Sequence, residues 1–134
     1  MTFSTIDDIQ ALLAGQDYIC GRPLATVSFL ALKLGRPLFL EGEAGTGKTE
    51  IAKAIAAALG RRLIRLQCYE GLDAASAVYE WNFPAQMIAI RAAEVTGGGD
   101  AAHLRESLFT QDYLIERPLL QAMRPQPCGA PVLL

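Results

Sequence analysis

The sequence predicts an α/β fold with a βαβ unit at its centre, and three observations carry that expectation. Residues 38–40, LFL, form a short continuous apolar run, and a glycine-rich turn follows that opens the alanine-rich stretch KTEIAKAIAAALG. A second compact apolar run, RLIRLQC, comes directly after it. The last residues, PVLL, read as the start of a third buried strand. Continuous apolar runs separated by helical segments are the pattern of parallel strands covered on both faces.

Taken in order, Ser4 or Thr5 caps a first helix whose Ile6, Ile9, Leu12 and Leu13 recur on one face. Asp7 and Asp8 favour its positive end, and Gly15 is its natural stop. GQDYICGR is a connection, after which Pro23 suits the first position of a second helix that runs to about Leu34 with Gly35 behind it. Leu24, Val27, Ala31 and Leu34 are its expected apolar face. Pro37 restarts the chain in extended form into the 38–40 strand. The helix after the glycine turn ends at Gly60, and a strand at 63–68 completes the βαβ unit. DAASAVYE is predicted helical, WNFP breaks it, and AQMIAIRAAEV is helical up to the glycines at 97–99. From Ala101 to Met123 a further helical region is expected, kinked or divided by Pro118. RPQPCGAP is a rigid connection into PVLL. There is no internal repeat or low-complexity tract.

With 134 residues the chain suits one modest domain. We divide it into N-terminal helices (1–36), the βαβ unit (37–68) and a helical segment leading to the last strand (69–134). It is 51% hydrophobic and 19% charged, with a mean hydropathy of +0.24. That argues against disorder and leaves apolar surface for a partner. A net charge of −2 gives no general basic field, so nucleic-acid backbone tracking is not expected and any phosphate site must be local. Cys20, Cys68 and Cys128 lack paired spacing. They read as small buried hydrophobes in a reducing compartment rather than as a disulfide framework or zinc site. The start MTFSTIDDIQ has no signal-peptide pattern, and the apolar stretch from Leu24 to Leu40 is interrupted by Lys33, Arg36 and Pro37, short of a bilayer span. A cytoplasmic chain is expected.

The turn GEAGTGKT at 42–49 fits G-x-x-x-x-G-K-[ST], and each position has a physical task. Glycines permit positive φ and close approach, so that the N–H groups of Gly42, Glu43, Ala44, Gly45, Thr46, Gly47 and Lys48 point at phosphate oxygens. The helix opening at Lys48 adds a partial positive charge of roughly half an elementary unit. Lys48 brings a mobile full charge to the outer phosphates, and the Thr49 hydroxyl is the candidate magnesium ligand. The turn is suited to a nucleoside triphosphate, ATP with Mg2+, with Glu50 beside it. A solvated surface glutamate is the simpler reading of Glu43, because carboxylates repel phosphate. Glu41 and Glu50 receive no catalytic role either. His103 stands alone and reads as solvated or structural. Trp81, Tyr79 and Phe83 read as an aromatic cluster closing a core at a helix end rather than as a base platform. No catalytic residue is assigned.

With these residues in view, AGQDYICGRPLATVSFLALKLGRPLFLEGEAGTGKTEIAKAIAAAL resembles the amino-terminal part of MoxR-type AAA+ ATPases. LIRLQCYEGLDAASAVYEWNFPAQMIAIR and LFTQDYLIERPLLQAM are similar to the branch associated with carbon monoxide dehydrogenase maturation. The resemblance implies a three-layer αβα P-loop NTPase (AAA+) core in which 42–49 is the Walker A loop. The segment from Gly15 to Ile19 would then lie over the adenine, with Ile19 as its candidate contact. It implies an ATP-driven hexameric ring, a chaperone-like remodeller or metallocofactor inserter. Its partners would be a von Willebrand factor A-domain protein and a client metalloenzyme.

In that family the run like PVLL continues into an Asp-Glu pair, the Walker B acids. Here the sheet is expected to be incomplete, truncated at that strand, with sensors, arginine fingers and lid also absent, so that the chain binds ATP without hydrolysing it. The family's sheet also places one further strand between the 38–40 run and PVLL. Without it, unpaired backbone groups at about 1–3 kcal/mol each are expected in the core. Two alternatives compete with this reading. A small P-loop metabolite kinase would place its glycine loop nearer the amino terminus, without two preceding helices. A non-catalytic interaction fragment would dock on AAA+ neighbours through apolar surface.

Overall fold

A computed structural model of the chain describes residues 3–95, 106–127 and 129–134. His103, Cys128, the glycines at 97–99 and the expected helix start at Ala101 lie outside the described residues. The described elements are α1 (Ile6–Ala14), α2 (Arg22–Leu34), α3 (Lys48–Ala58), β1 (Leu63–Ile64), α4 (Ala74–Val78), β2 (Tyr79–Trp81), α5 (Phe83–Val95), a single 3-10 turn (Gln111–Tyr113), β3 (Leu114–Glu116), α6 (Pro118–Met123) and β4 (Val132–Leu133). They fall into two units, Met1–Arg65 with Pro125–Leu134, and Leu66–Arg124.

The first unit starts from a capping box. The Thr5 hydroxyl accepts the Asp8 N–H at 3.2 Å, while the Asp8 carboxylate accepts the N–H groups of Thr5 (2.9 Å) and Ser4 (2.7 Å). These satisfy amide groups that a helix start otherwise leaves open. The same amides hold the Asp8 carboxyl below its ordinary pKa of 3.8. Ile9 and Leu13, both fully buried, meet Ala25 of α2 and Ile51, Ala54 and Ile55 of α3 in one cluster. Each large aliphatic side chain buried there contributes about 1.5–3 kcal/mol. Pro23 stands in the first turn of α2, and Gly35 ends it in left-handed conformation at φ 61°. The buried face of α2 differs from the one expected. Ala25 and Ser28 are buried, with Leu24, Phe29 and Leu32 packed at the margin of the core, whereas Val27 and Leu34 are exposed.

β1 pairs in parallel with β4, Leu63 opposite Val132 and Ile64 opposite Leu133. The expected strand at 63–68 is thus paired only at its first two residues, and Cys68 is exposed rather than buried. The expected strand at 38–40 does not form. Those residues make no ladder among the described residues, and Phe39 is 86% exposed. Their backbone pairs with no strand among the described residues, and the second edge of β4 is left without a neighbour there. Leu38, Leu40, Ile51, Ile55, Val132 and Leu133 instead line a cavity of about 470 Å³, and Ser28 also faces it.

In the second unit, Asp73 caps α4 through its carboxylate, which accepts the Ser76 N–H at 2.6 Å. The helix expected through Glu80 stops at Val78, because Tyr79, Glu80 and Trp81 pair antiparallel with Glu116, Ile115 and Leu114. That ladder also breaks the helical region expected from Ala101 to Met123. Of the two roles expected for Pro118, kinking or dividing, it takes the second: it begins α6, at a position where its missing N–H costs nothing. Arg117 pairs with Glu80, and Arg124 with Glu116. Trp81 packs edge-on against Tyr79 (5.9 Å) and Phe109 (5.1 Å). Phe109 thus makes the ring contact expected of Phe83, although both phenylalanines are exposed. Buried Gln86 donates from Nε2 to the Leu108 carbonyl at 2.6 Å.

Thr5→Ala is expected to lower stability by about 1 kcal/mol in urea unfolding at neutral pH. Because the folded pKa of Asp8 lies below its unfolded value, its contribution is present above pH 3.8 and fades as pH falls through the lowered value, so an Asp8→Asn difference shrinks at acid pH. Ser28 Oγ is buried with no hydrogen-bond partner among the described residues. Ser28→Ala is therefore expected to leave stability unchanged or raise it by about 1 kcal/mol, read from the urea midpoint.

Candidate functional site

The loop at 42–49 is placed by the helix it opens. α3 buries Ile51, Ala54, Ile55 and Ala56, which fixes its axis in the first unit and brings its amino end to the surface. Gly47 is its N-cap at φ 82°, and Gly45 stands at φ 83°, both in the left-handed region where a Cβ is strained. Glycine at these two positions lets the chain turn sharply into α3 without the strain of a Cβ.

Inside the turn the Lys48 ammonium donates to the Gly42 carbonyl at 2.8 Å, to the Glu43 carbonyl and to Thr46 Oγ1 at 3.1 Å. Thr46 Oγ1 in turn donates to the Glu43 carbonyl at 2.9 Å. The cation is therefore folded back over the loop carbonyls. The amides of Glu43, Ala44, Gly45, Thr46, Gly47, Lys48 and Thr49 donate no hydrogen bond among the described residues. They form a set of open donors at a helix N-terminus, which is the chemistry an anion of several oxygens satisfies. Thr49 is exposed, so its hydroxyl is accessible to a hydrated cation held by such an anion. Glu50 is occupied by Lys53, whose Nζ lies 2.6 Å from its carboxylate, and Glu41 and Glu43 are exposed. No group of three or more His, Cys, Asp or Glu among the described residues is arranged to hold a metal ion. A divalent cation here would need phosphate oxygens as ligands, and that suits magnesium.

The loop residues from Gly42 to Glu50 lie around the start of α3. Ile19, expected over the base, is 93% exposed. Its neighbour Tyr18 is the one that reaches the loop, its hydroxyl donating to the Gly47 carbonyl at 3.4 Å. Gln16, Asp17, Tyr18, Gly47, Glu50 and Lys53 line a pocket of about 410 Å³ beside the loop. Nothing in residue spacing pointed to Tyr18, because its contact with Gly47 bridges 29 positions.

In comparisons with known proteins, a family model described as AAA domain (dynein-related subfamily) matches residues 37–105. The match covers the turn and α3, and slightly more than half of the 134 residues. No curated protein and no solved structure matched the chain. No helix among the described residues is long and apolar enough to cross a membrane.

Gly47→Ala is expected to destabilise the chain by about 1–2 kcal/mol, the cost of a Cβ in left-handed backbone. Gly15, at φ −65°, is the control. Gly15→Ala is expected to be neutral or stabilising by up to about 1 kcal/mol. Urea midpoints of the two variants check the contrast.

Proposed function

We propose, since this chain belongs to the AAA domain family (dynein-related subfamily), that its 42–49 loop binds ATP together with magnesium. The observation that supports this most is the open set of amides at the start of α3 with the Lys48 ammonium folded beside them. In the bound state Lys48 leaves the Gly42 and Glu43 carbonyls and turns to the outer phosphates. The amides from Gly45 to Thr49 hold oxygens that carry the remaining charge. Magnesium, when bound, neutralises phosphate charge and polarises the terminal phosphoryl group. Thr49 supplies its hydroxyl to that ion, and Ile19, in the connection after α1, covers the base from its exposed position.

Within the family we assign the chain to the MoxR type, in the branch serving carbon monoxide dehydrogenase maturation, on residues 14–59, 63–91 and 108–123. The corresponding role is cytoplasmic, chaperone-like remodelling or metallocofactor insertion by a hexameric ring. Such a ring would work with a von Willebrand factor A-domain protein on a client metalloenzyme. For the 134 residues as they stand we propose binding without turnover. Phosphoryl transfer to water needs acids that orient metal and nucleophile, and of the carboxylates beside the loop Glu50 is paired with Lys53 while Glu41 and Glu43 face solvent.

Calorimetric titration with MgATP tests the reading. Saturable one-site binding is expected, and Lys48→Ala should weaken it about 10- to 100-fold, the effect of losing hydrogen bonds from a charged donor, with the urea midpoint held. Absence of binding to the wild-type chain, or equal binding by the variant, would overturn it. Sustained phosphate release that depends on Lys48 would overturn the absence of turnover.

A further inference from the structure

Tyr18 links two parts of the first unit that are distant in sequence. Its backbone N–H donates to the carbonyl of fully buried Leu13, near the end of α1, at 3.1 Å. Its ring packs against the core cluster, and its hydroxyl donates to the Gly47 carbonyl at 3.4 Å. Asp17, just before it, has φ 57°, the one positive φ at a non-glycine residue among the described residues. A left-handed residue reverses the chain sharply, and here it does so between the end of α1 and the residue that meets the loop.

The Gly47 carbonyl is held twice. It accepts the Tyr18 hydroxyl, and it accepts the Ile51 N–H at 3.2 Å, so both of its lone pairs are engaged. A peptide unit is planar and trans, so the carbonyl and the N–H of one unit point in opposite directions. The N–H in the same unit as the Gly47 carbonyl belongs to Lys48. Fixing that carbonyl on Tyr18 and Ile51 therefore aims the Lys48 N–H away from both, out of the amino end of α3.

We propose that Tyr18 is a positioning residue for the anion cradle, which through the Gly47 carbonyl sets the direction of the Lys48 amide. This rests on the reading that the 42–49 loop holds a polyphosphate. The ligand contact it governs is with the phosphate chain rather than with the base, so it acts equally on ATP and on inorganic tripolyphosphate. Burial raises the phenol above its ordinary pKa of 10, with the nearby Cys20 adding to the shift. The hydroxyl is therefore a proton donor throughout the neutral range.

Tyr18→Phe keeps the ring and its packing and removes only the donor. Wild type and variant are compared by the Lys48 amide resonance in nitrogen–proton correlation spectra without ligand, by urea midpoint, and by titration with magnesium ATP and magnesium tripolyphosphate. The expected result is a displaced Lys48 amide resonance and a loss of affinity for both ligands of up to about fivefold, the scale of one neutral hydrogen bond, with the midpoint lowered by no more than that one bond. An unmoved Lys48 resonance, or affinities equal to wild type, would overturn the proposal. A lowered midpoint with unchanged affinities would also overturn it, since it marks a purely structural role. If the wild-type chain binds neither ligand, the polyphosphate reading fails by itself, while the ligand-free resonance still decides whether Tyr18 sets the amide.

Discussion

The burial of one face of α3 is the constraint on which the rest of the first unit depends. Ile51, Ala54 and Ile55 pack against Ile9 and Leu13 of α1 and Ala25 of α2, with Leu40 and Val132 at the margin of the cluster. A helix anchored along its length cannot translate or rotate without opening that core, and interiors packed at crystal-like density resist such shifts. Its first turn is therefore held in place by residues that never touch a ligand. The open amides at that end gain their fixed direction from apolar contacts one and two turns further along.

Backbone geometry then converts a fixed helix into a chemical site. Gly45 and Gly47 take left-handed backbone angles that bend the chain into α3 within a few residues. The price is a short stretch with many unpaired donors. Lys48 does not relieve it in this state: its ammonium donates to the loop's own carbonyls, which satisfies acceptors and leaves the amides open. The chain carries a net charge of −2, so attraction for an anion has to come from this local arrangement rather than from a general field. One lysine, one helix end and a run of amides supply it, and they do so at a surface position where exchange with solvent is easy.

Legibility from sequence followed the range of the physics involved. Thr5 with Asp8, Pro23, Gly35 and Asp73 act on residues within one turn, and all stand where local rules place caps and first turns. The glycine turn was legible for the same reason, since its spacing encodes its geometry directly. Pairing was harder to read. The LFL run at 38–40 has strand composition yet makes no ladder among the described residues, because strand formation needs a neighbour and composition alone does not supply one. LIE at 114–116 sat inside an expected helix but became β3, since its partner YEW lies more than thirty positions earlier. Likewise α2 buries Ala25 and Ser28, whereas Val27 and Leu34 are exposed. Tyr18 lay inside the 15–19 segment expected near the base, but its contact with Gly47 was not legible because only the folded chain sets the two together.

If the amides at the start of α3 grip a polyphosphate while Lys48 leaves its loop carbonyls to join them, a crystal structure with magnesium and a nonhydrolysable ATP analogue shows it most directly. The expected result has phosphate oxygens within about 3.2 Å of the amides between Gly45 and Thr49, with Lys48 Nζ moved from the Gly42 and Glu43 carbonyls onto the outer phosphates. An analogue bound elsewhere, or a loop in which Lys48 still donates to those carbonyls with the phosphates out of reach, would contradict it.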